Sequence, residues 1–346
     1  MKAAVLVKYN ENLIYEDVPK PEISERDDVI IKMVGAGICR TDLHEKMGEF
    51  GHKLKLPLIM GHENIGFIDD IGDNTMGLTK GLPVIMFPYV TNGYCLNCRK
   101  GNDMFCTEKP YMPGFDSDGG YAEFLKTKIR ALLPLPKTLS TEKIRRMASI
   151  ADAGITAYHA IKKISNQIYP GSYVVVLGAG GGIGHMAVQM LKQMTPAKII
   201  AINRSEKSIK LAERVGADFP IIAGKDGGIG RVLEITNNVG ADVVLDLVGE
   251  GDTTNIAIKM TKNQGIVSIV GYGGSFTDST FDVINREISI IGNLTGTYPE
   301  FSEMVNLYLD GKFSVEGPVY QLKDANRALD DLATNKYFGR ATLIPQ

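Results

Sequence analysis

The chain has 346 residues, which is enough for two domains with separate hydrophobic cores. Its hydrophobic content of 44%, charged content of 23% and net charge of −2 are those of an ordinary globular protein, with no basic footprint for nucleic acid and no polybasic membrane patch. The first residues are charged too early for a signal peptide, and no apolar run approaches the ~18 residues that a membrane span needs. We therefore expect a cytoplasmic protein that binds neither nucleic acid nor membranes.

Residues 1 to about 150 predict a β-rich domain, because short apolar or alternating runs are separated by Gly, Pro, Asn and Asp at short intervals. The predicted strands are residues 3–7, 29–34, 65–71, 84–87 and 121–125. Loops carry the chemistry of such a domain, so the polar residues between these strands are the first candidates for a site.

Cys39, His62 and Glu63 are candidate zinc ligands in this region. Thiolate, imidazole and carboxylate are the side-chain ligand types of zinc, and a catalytic zinc takes three of them and keeps one position open. Two loops of a folded domain would have to bring Cys39 and His62 together. The alternative is that Cys39 is a core thiol and that His62 belongs to a surface turn.

Asp152 is a further candidate ligand, because it lies in an apolar stretch inside a helix predicted over residues 141–161. A buried carboxylate needs a partner, and an ion pair or a metal is the usual solution. We favour a metal over the alternative, a helix cap. Cys95, Cys98 and Cys106, three of the four cysteines, also cluster at a spacing that suits a metal better than a disulfide framework.

After residue 171 the pattern changes to strands that alternate with helices, which predicts a parallel doubly wound sheet. The run Tyr173–Leu177 is apolar throughout, as expected for a strand that is buried on both faces. Further strands are predicted at 198–202, 219–223, 241–246 and 265–270, and helices at 183–194, 205–215, 229–236 and 253–261.

A glycine-rich loop at 178–184 joins the first of these strands to its helix. A turn of this kind lets the backbone approach a pyrophosphate, which then binds at the helix N-terminus. The loop is not a strict G-x-G-x-x-G, because Ile183 is the sixth residue from Gly178. We predict a dinucleotide site formed by Gly178, Gly180, Gly181, Gly182, Ile183 and Gly184.

The residue at the end of the second strand indicates which dinucleotide binds. An NAD-binding fold usually has Asp or Glu there, accepting from the adenosine ribose. Here Asn203 takes that position and Arg204 follows it, so no carboxylate would repel a 2′-phosphate and a guanidinium could accommodate it. We expect NADP(H) to be favoured over NAD(H), unless Arg204 points to solvent.

Five motifs carry a resemblance, over the whole chain, to the zinc-containing medium-chain alcohol dehydrogenases. They are Gly-Ile-Cys-Arg-Thr-Asp-Leu-His at 37–44, Gly-His-Glu at 61–63, Gly-Gly-Tyr-Ala-Glu at 119–123, Asp-Ala-Gly-Ile-Thr at 152–156 and the glycine loop. The resemblance implies an α/β fold with a GroES-like β-rich catalytic domain at 1–150, a doubly wound Rossmann domain at 151–311 and a return to the first domain at 312–346. It also implies a homotetramer or a homodimer.

The same resemblance implies roles for individual residues. Cys39, His62 and Asp152 would ligate a catalytic zinc, Glu63 would lie beside or on the metal, and Asp42 would orient His62. Thr41 and His44 would relay the proton of the alcohol. The implied cofactor contacts beyond the loop are Arg40, Thr156, Val270 and Arg340.

The cysteine cluster departs from the family pattern. The family's structural zinc has four cysteine ligands, and Asn92 stands in the first of those positions. A neutral amide is a poor zinc ligand. The cluster would therefore bind zinc weakly, use another ligand such as Asp103, or hold no zinc.

We expect a zinc-dependent oxidoreductase that transfers hydride between a small-molecule alcohol and NAD(P)+, interconverting alcohols with aldehydes or ketones. The alternatives are a sugar or polyol dehydrogenase of the same superfamily and a non-catalytic NADPH-binding relative. An apolar pocket lining favours an alcohol over a sugar, and its expected members are Phe50, Phe115, Leu294 and Tyr94. Intact Cys39, His62 and Asp152 argue against a non-catalytic protein.

Overall fold

The computed structural model describes residues 1–49 and 54–345. The chain forms two compact units. Unit 1 consists of Met1–Ala153, Thr297–Glu303 and Val315–Gln346, and unit 2 of Gly154–Gly296 and Met304–Ser314. The chain thus enters unit 1 again in two segments, where we predicted a single return at residue 312.

The strands alternate with short loops in unit 1 and with helices in unit 2. They are β1 (Lys2–Leu6), β2 (Ile14–Asp17), β3 (Asp28–Gly37), β4 (Leu58–Ile59), β5 (Glu63–Ile71), β6 (Pro83–Met86), β7 (Phe124–Lys128), β8 (Leu132–Pro134), β9 (Tyr173–Leu177), β10 (Lys198–Asn203), β11 (Phe219–Ile222), β12 (Ala241–Asp246), β13 (Thr261–Ile269), β14 (Ser289–Gly292), β15 (Val319–Gln321) and β16 (Thr342–Ile344).

Most of the longer helices belong to unit 2. The α-helices are α1 (Arg40–Met47), α2 (Leu96–Arg99), α3 (Thr141–Arg146), α4 (Ala153–Ile164), α5 (Gly184–Met194), α6 (Glu206–Arg214), α7 (Ile229–Ile235), α8 (Thr253–Met260), α9 (Thr280–Arg286), α10 (Tyr298–Leu309) and α11 (Ala325–Ala333). Short 3-10 turns lie at Asp103–Phe105, Ile129–Ala131, Ala148–Ala151, Ser165–Gln167 and Leu322–Asp324. Among the residues that the structure describes, no helix is long and apolar enough to cross a lipid bilayer.

Unit 1 is built on two sheets. A three-stranded sheet has the order β2-β1-β4, and a seven-stranded sheet has the order β15-β16-β3-β5-β6-β8, with β7 also paired to β3. Strand β3 is the centre of the larger sheet and is buried along almost its whole length. The loops at its end and before β5 are therefore anchored to a rigid core.

Unit 2 contains the predicted doubly wound sheet, with the strand order β11-β10-β9-β12-β13-β14 and parallel pairing throughout. The order reverses between β9 and β12, which is the position where such sheets bind ligands, beyond the carboxyl ends of the strands. Val175, Ile200 and Val244 lie in one buried cluster, as the apolar runs predicted.

The prediction of one continuous helix over 141–161 was wrong, because the helix is interrupted before Ala153. Helix α3 is followed by a 3-10 turn, and α4 begins only at Ala153. Asp152 has φ −126° and ψ −59°, outside the helical region. The break takes this carboxylate out of a helical turn and leaves it beside the other polar groups of unit 1.

Candidate metal centre and dinucleotide-binding loop

Three potential metal ligands come together in unit 1. Cys39 directly precedes α1 at the end of β3, His62 directly precedes β5, and Asp152 lies at the break before α4. One donor atom from each lies within 4.8 Å of the other two, and His62 Nε2 is 3.5 Å from Asp152 Oδ2. A thiolate, an imidazole and a carboxylate are a zinc-type donor set that leaves one coordination position open.

The electrostatics of this cluster favour a cation. Burial alone would lower the pKa of His62, but Asp42, together with Asp152 and Cys39, outweighs it and holds this pKa well above its usual value. The side chain of His62 is only 2% exposed. The acidic groups around His62 make this buried site electronegative, and Cys39, His62 and Asp152 are the residues that would hold a divalent ion there.

Asp42 lies behind His62. Its Oδ1 is 3.2 Å from His62 Nδ1, at hydrogen-bond distance although the two groups are not well aligned. Its Oδ2 accepts from the Cys39 N–H at 2.7 Å and from the Tyr121 hydroxyl at 2.7 Å. The sequence suggested the role of Asp42, but the part played by Tyr121 was missed.

Glu63 and Arg340 form a buried ion pair. Arg340 Nε donates to Glu63 Oε2 at 3.1 Å and Nη2 to Oε1 at 2.5 Å. The N–H of Ala153 also donates to Glu63. The pair lies beside the donor set, since Arg340 Nη2 is also 3.8 Å from Asp152 Oδ2. The implied roles of Glu63 beside the metal and of Arg340 at the cofactor stay predictions.

Helix α1 carries the residues implied in proton relay. Thr41 and His44 are half-buried, and His44 Nδ1 contacts the Glu49 carboxylate. Arg40 is exposed and lies 3.5 Å from the Asn335 side chain. Among the expected pocket residues, Phe115 packs against His62 with 5.2 Å between ring centroids.

The other expected pocket residues are less informative. Tyr94 is 76% exposed and directly precedes Cys95 of the cysteine cluster, whereas Leu294 is 46% exposed in unit 2. Phe50 lies outside the described residues.

Glu45 is a buried carboxyl group that sequence reasoning missed. It lies one helical turn after Asp42, is 0% exposed, and neither of its oxygens has a hydrogen-bond partner within the described residues. Burial, with the charge of Asp42, raises its pKa well above the usual value. Its position after His44 in an α1 sequence with charged neighbours gave no sign that it would be buried.

The cysteine cluster supplies three thiols, without a fourth donor among the described residues. Cys95 Sγ lies 3.4 Å from Cys98 Sγ and 3.9 Å from Cys106 Sγ. Asn92 Oδ1 accepts from the Tyr94 N–H, so the amide is used locally. Over residues 1–49 and 54–345, no other Cys, His, Asp or Glu completes this group.

Asp103, the substitute ligand that we considered, is engaged elsewhere. It accepts from the Thr91 hydroxyl at 2.6 Å and from Arg130 at 3.0 Å. The three thiols fit a metal, but they do not make the closed four-ligand set of a structural zinc.

The glycine loop in unit 2 has the geometry of a phosphate-binding turn. It follows β9 and leads into α5, whose first N–H groups lack intrahelical partners. Gly178 has φ +81°, and a Cβ at Gly180 would lie 2.1 Å from the Ser208 carbonyl oxygen. Only glycine fits this turn, which brings Gly181, Gly182, Ile183 and Gly184 to the start of the helix.

The remaining predicted cofactor residues lie in unit 2. Asn203 Oδ1 accepts from the Gly180 N–H at 3.0 Å, so its amide supports the loop, while Arg204 is exposed. Thr156 is buried in α4, and Val270 follows β13 with its N–H bonded to the Asp246 carbonyl.

Comparison with known proteins agrees with this geometry. The alcohol dehydrogenase GroES-like domain matches residues 25–137, and the zinc-binding dehydrogenase domain matches residues 182–310. The NAD-dependent alcohol dehydrogenase of Sulfurisphaera tokodaii is 34% identical over 359 residues, covering 100% of both chains. The D-arabinose 1-dehydrogenase (NADP(+)) of Saccharolobus solfataricus is 31% identical over 351 residues, covering 99% of this chain and 97% of its own.

A solved structure is also similar. The alcohol dehydrogenase of the archaeon Aeropyrum pernix has a TM-score of 0.96 at 46% identity, with 100% of both chains covered. The chain belongs to the zinc-type medium-chain alcohol dehydrogenases. The predicted fold class, a GroES-like domain with a Rossmann domain, is confirmed.

Proposed function

We propose that this protein interconverts alcohols with aldehydes or ketones by hydride transfer to and from a nicotinamide dinucleotide. The observation that carries the proposal is the convergence of Cys39, His62 and Asp152 donors within 4.8 Å in unit 1, in a chain of this family. Zinc at these donors would act as a Lewis acid on the substrate oxygen and lower the pKa of an alcohol.

The chain's own groups orient the site and remove the proton. Asp42 lies against His62 Nδ1, which leaves Nε2 directed towards Asp152. Thr41 and His44 supply a hydroxyl and an imidazole on α1, the two groups that we assign to proton transfer. Because His44 Nδ1 contacts the half-exposed Glu49 carboxylate, the proton has a route towards solvent.

Replacing Cys39 tests this function. Cys39→Ser is expected to abolish alcohol oxidation and to remove one zinc per chain, with dinucleotide binding retained because the glycine loop lies in unit 2. Zinc analysis, the fluorescence of bound NADPH and NADH, and a turnover assay measure the three effects. Cys106→Ser is the matched control, since it alters a thiol of the cysteine cluster and should retain turnover. Near-normal activity and full zinc content in Cys39→Ser would refute the assignment.

We propose that the dinucleotide is NADP(H) rather than NAD(H). The support is the absence of a carboxylate at Asn203 and the guanidinium of the next residue, Arg204. Against it, Arg204 is exposed to solvent, and relatives of this chain are named NAD-dependent. A charge-assisted hydrogen bond from Arg204 to a 2′-phosphate contributes about 1.5–3 kcal/mol, or roughly one to two decades of affinity. Arg204→Ala should therefore lower kcat/KM for NADPH and spare NADH. If wild type prefers NADH and the variant changes neither, Arg204 has no role in the choice.

The substrate and the assembly are tested by simpler measurements. A panel of alcohols with D-arabinose decides between an alcohol and a sugar, and we expect alcohols because Phe115 packs beside His62. The family resemblance also supports a homotetramer or a homodimer. Light scattering measures the mass of the assembly and decides between them.

A further inference from the structure

Tyr121 is a fully buried tyrosine whose hydroxyl reaches the group behind the metal ligands. Its exposure is 0%, as is that of Asp42. The hydroxyl lies 2.7 Å from Asp42 Oδ2. Because burial, followed by the charge of Asp42, raises the pKa of Tyr121 well above its usual value, the hydroxyl keeps its proton and is the donor in this bond.

The backbone around Tyr121 is fixed to the segment that carries His62. The Tyr121 N–H donates to the Met60 carbonyl at 2.9 Å, and the Gly120 N–H donates to the Gly61 carbonyl at 2.8 Å. Gly61 has φ +99°, and a Cβ there would lie 2.3 Å from the Tyr121 ring. The ring can therefore occupy its place only because residue 61 is glycine, directly before His62.

Two donors hold one oxygen of Asp42 and leave the other for His62. Oδ2 accepts from Tyr121 and from the Cys39 N–H, both at 2.7 Å, while Oδ1 lies 3.2 Å from His62 Nδ1. A carboxylate anchored at one oxygen has little freedom to rotate, so the direction of the other oxygen is set. The Cys39 N–H alone would leave rotation about this one bond possible.

We propose that Tyr121 is a positioning residue for the metal site: its hydroxyl fixes Asp42, and Asp42 in turn fixes the His62 imidazole with Nε2 towards Cys39 and Asp152. The inference rests on the proposed function, since it assigns Cys39, His62 and Asp152 to the metal. Tyr121 touches neither metal nor substrate, and it acts only through Asp42.

Tyr121→Phe removes the hydroxyl and keeps the ring. Outer partners of metal ligands typically change metal affinity by 10–100-fold, and we expect the zinc Kd to rise roughly 10-fold. The cobalt-substituted protein should also show a shifted visible spectrum, because the imidazole orientation at the ion changes. Both measurements use the full chain with Cys98→Ser, which takes a thiol from the cysteine cluster and limits its contribution to the signal.

Tyr320→Phe is the matched control. The Tyr320 hydroxyl donates to the Asp331 carboxylate at 3.0 Å, so this variant loses the same kind of bond, but the acceptor does not contact His62. Zinc Kd and cobalt spectrum should remain those of the parent. A hydroxyl that served stability alone would lower Tm in Tyr121→Phe without moving either metal readout, and that result would overturn the proposal.

If Tyr121→Phe does not fold, Asp42→Asn tests the same contacts, because Asp42 lies between Tyr121 and His62. We expect a similar rise in zinc Kd, and an unchanged Kd would refute the positioning role of Tyr121, because Asp42 would then orient nothing. Failure of the proposed function looks different: zinc content would be independent of Cys39. If zinc content depends on Cys39 but the zinc Kd is unchanged in both Tyr121→Phe and Asp42→Asn, the proposed function stands and only this inference is overturned.

Discussion

The carboxylates around His62 differ in how their charge is compensated. Asp42 and Asp152 lie 3.2 Å and 3.5 Å from the two ring nitrogens, so each acts on the imidazole directly. Glu63 is neutralised by Arg340 in a buried pair. Breaking such a pair by removing one partner typically costs about 3–5 kcal/mol, because an uncompensated charge stays buried. Glu45 has no hydrogen-bond partner among the described residues, and its contribution to the free energy of unfolding should therefore depend on pH.

Glu45→Gln is expected to stabilise the metal-free protein at neutral and alkaline pH. The pKa of Glu45 is raised in the folded state, so the folded protein holds a proton that the unfolded chain releases. Wild type therefore loses stability as pH rises above about 4.3, the ordinary value for Glu. We expect the variant to be more stable by about 1–3 kcal/mol at pH 8, with a smaller difference near pH 4.

Urea unfolding across this pH range measures the Glu45 effect. Glu49→Gln is the control, since Glu49 is half-exposed on the same segment and its contact with His44 is a surface pair, whose loss should change the free energy of unfolding little. A Glu45→Gln protein that is less stable than wild type at pH 8 would show that the carboxylate has a partner in solution.

At the scale of elements, the sequence predicted strands better than the loops and breaks between them. The unit 2 alternation was clear, because Tyr173–Leu177 and its neighbours are apolar throughout and the intervening helices are amphipathic. The break at Asp152 was not visible, because 141–161 has a continuous helical composition and the local preference was overridden by tertiary contacts. The elements that were not predicted are helices α1, α2, α9, α10 and α11 and the short strands β2, β4, β8, β14, β15 and β16.

Strand β3 begins at a buried ion pair that should stabilise the sheet. Asp28 is 1% exposed, lies opposite Lys128 of β7 in the strand register, and is 2.8 Å from its Nζ. Burial alone would raise the pKa of Asp28, but the Lys128 ammonium and the N–H groups of Ser24 and Glu25 outweigh it and hold this pKa well below its usual range. The depressed pKa means that the ionised form stabilises the folded state.

Asp28→Asn should destabilise the protein by about 2–3 kcal/mol at pH 7, the contribution of hydrogen bonds to a charged group. The difference should shrink as pH falls below about 3.9, because wild type then loses the same contribution by protonation. Asp27→Asn is the matched control: it contacts the same ammonium at 2.8 Å but is 45% exposed, so we expect about 1 kcal/mol or less. Equal effects from the two variants would contradict the account.

At the scale of the whole molecule, the Cys39, His62 and Asp152 donor set and the cysteine cluster should differ in their affinity for zinc. The cysteine cluster offers three thiols, and Asn92 and Asp103 are both engaged in other hydrogen bonds. Fewer than two zinc ions per chain should therefore survive mild chelation. Mass spectrometry of the native protein before and after chelation measures this number, and two retained ions would mean that another ligand completes the cluster.

The candidate site was predictable only where its ligand types were unusual in the sequence. Cys39, His62 and Asp152 could be predicted as ligands because thiolate, imidazole and carboxylate are the side-chain types that bind zinc. The partnership of Glu63 with Arg340 could not be predicted, since the two are 277 residues apart and pair through folding alone. The hydrogen bond from Tyr121 to Asp42 was missed for the same reason, because the sequence around a tyrosine does not indicate which distant residue accepts from its hydroxyl.

Zinc-edge X-ray absorption on the chain carrying Cys95→Ser and Cys98→Ser tests the central claim, that Cys39, His62 and Asp152 hold the zinc. We expect one sulfur neighbour at about 2.3 Å with nitrogen and oxygen neighbours at about 2.0–2.2 Å. Adding Cys39→Ser should remove the sulfur signal. A zinc without sulfur while Cys39 is intact, or a sulfur signal that persists after Cys39→Ser, would contradict the assignment.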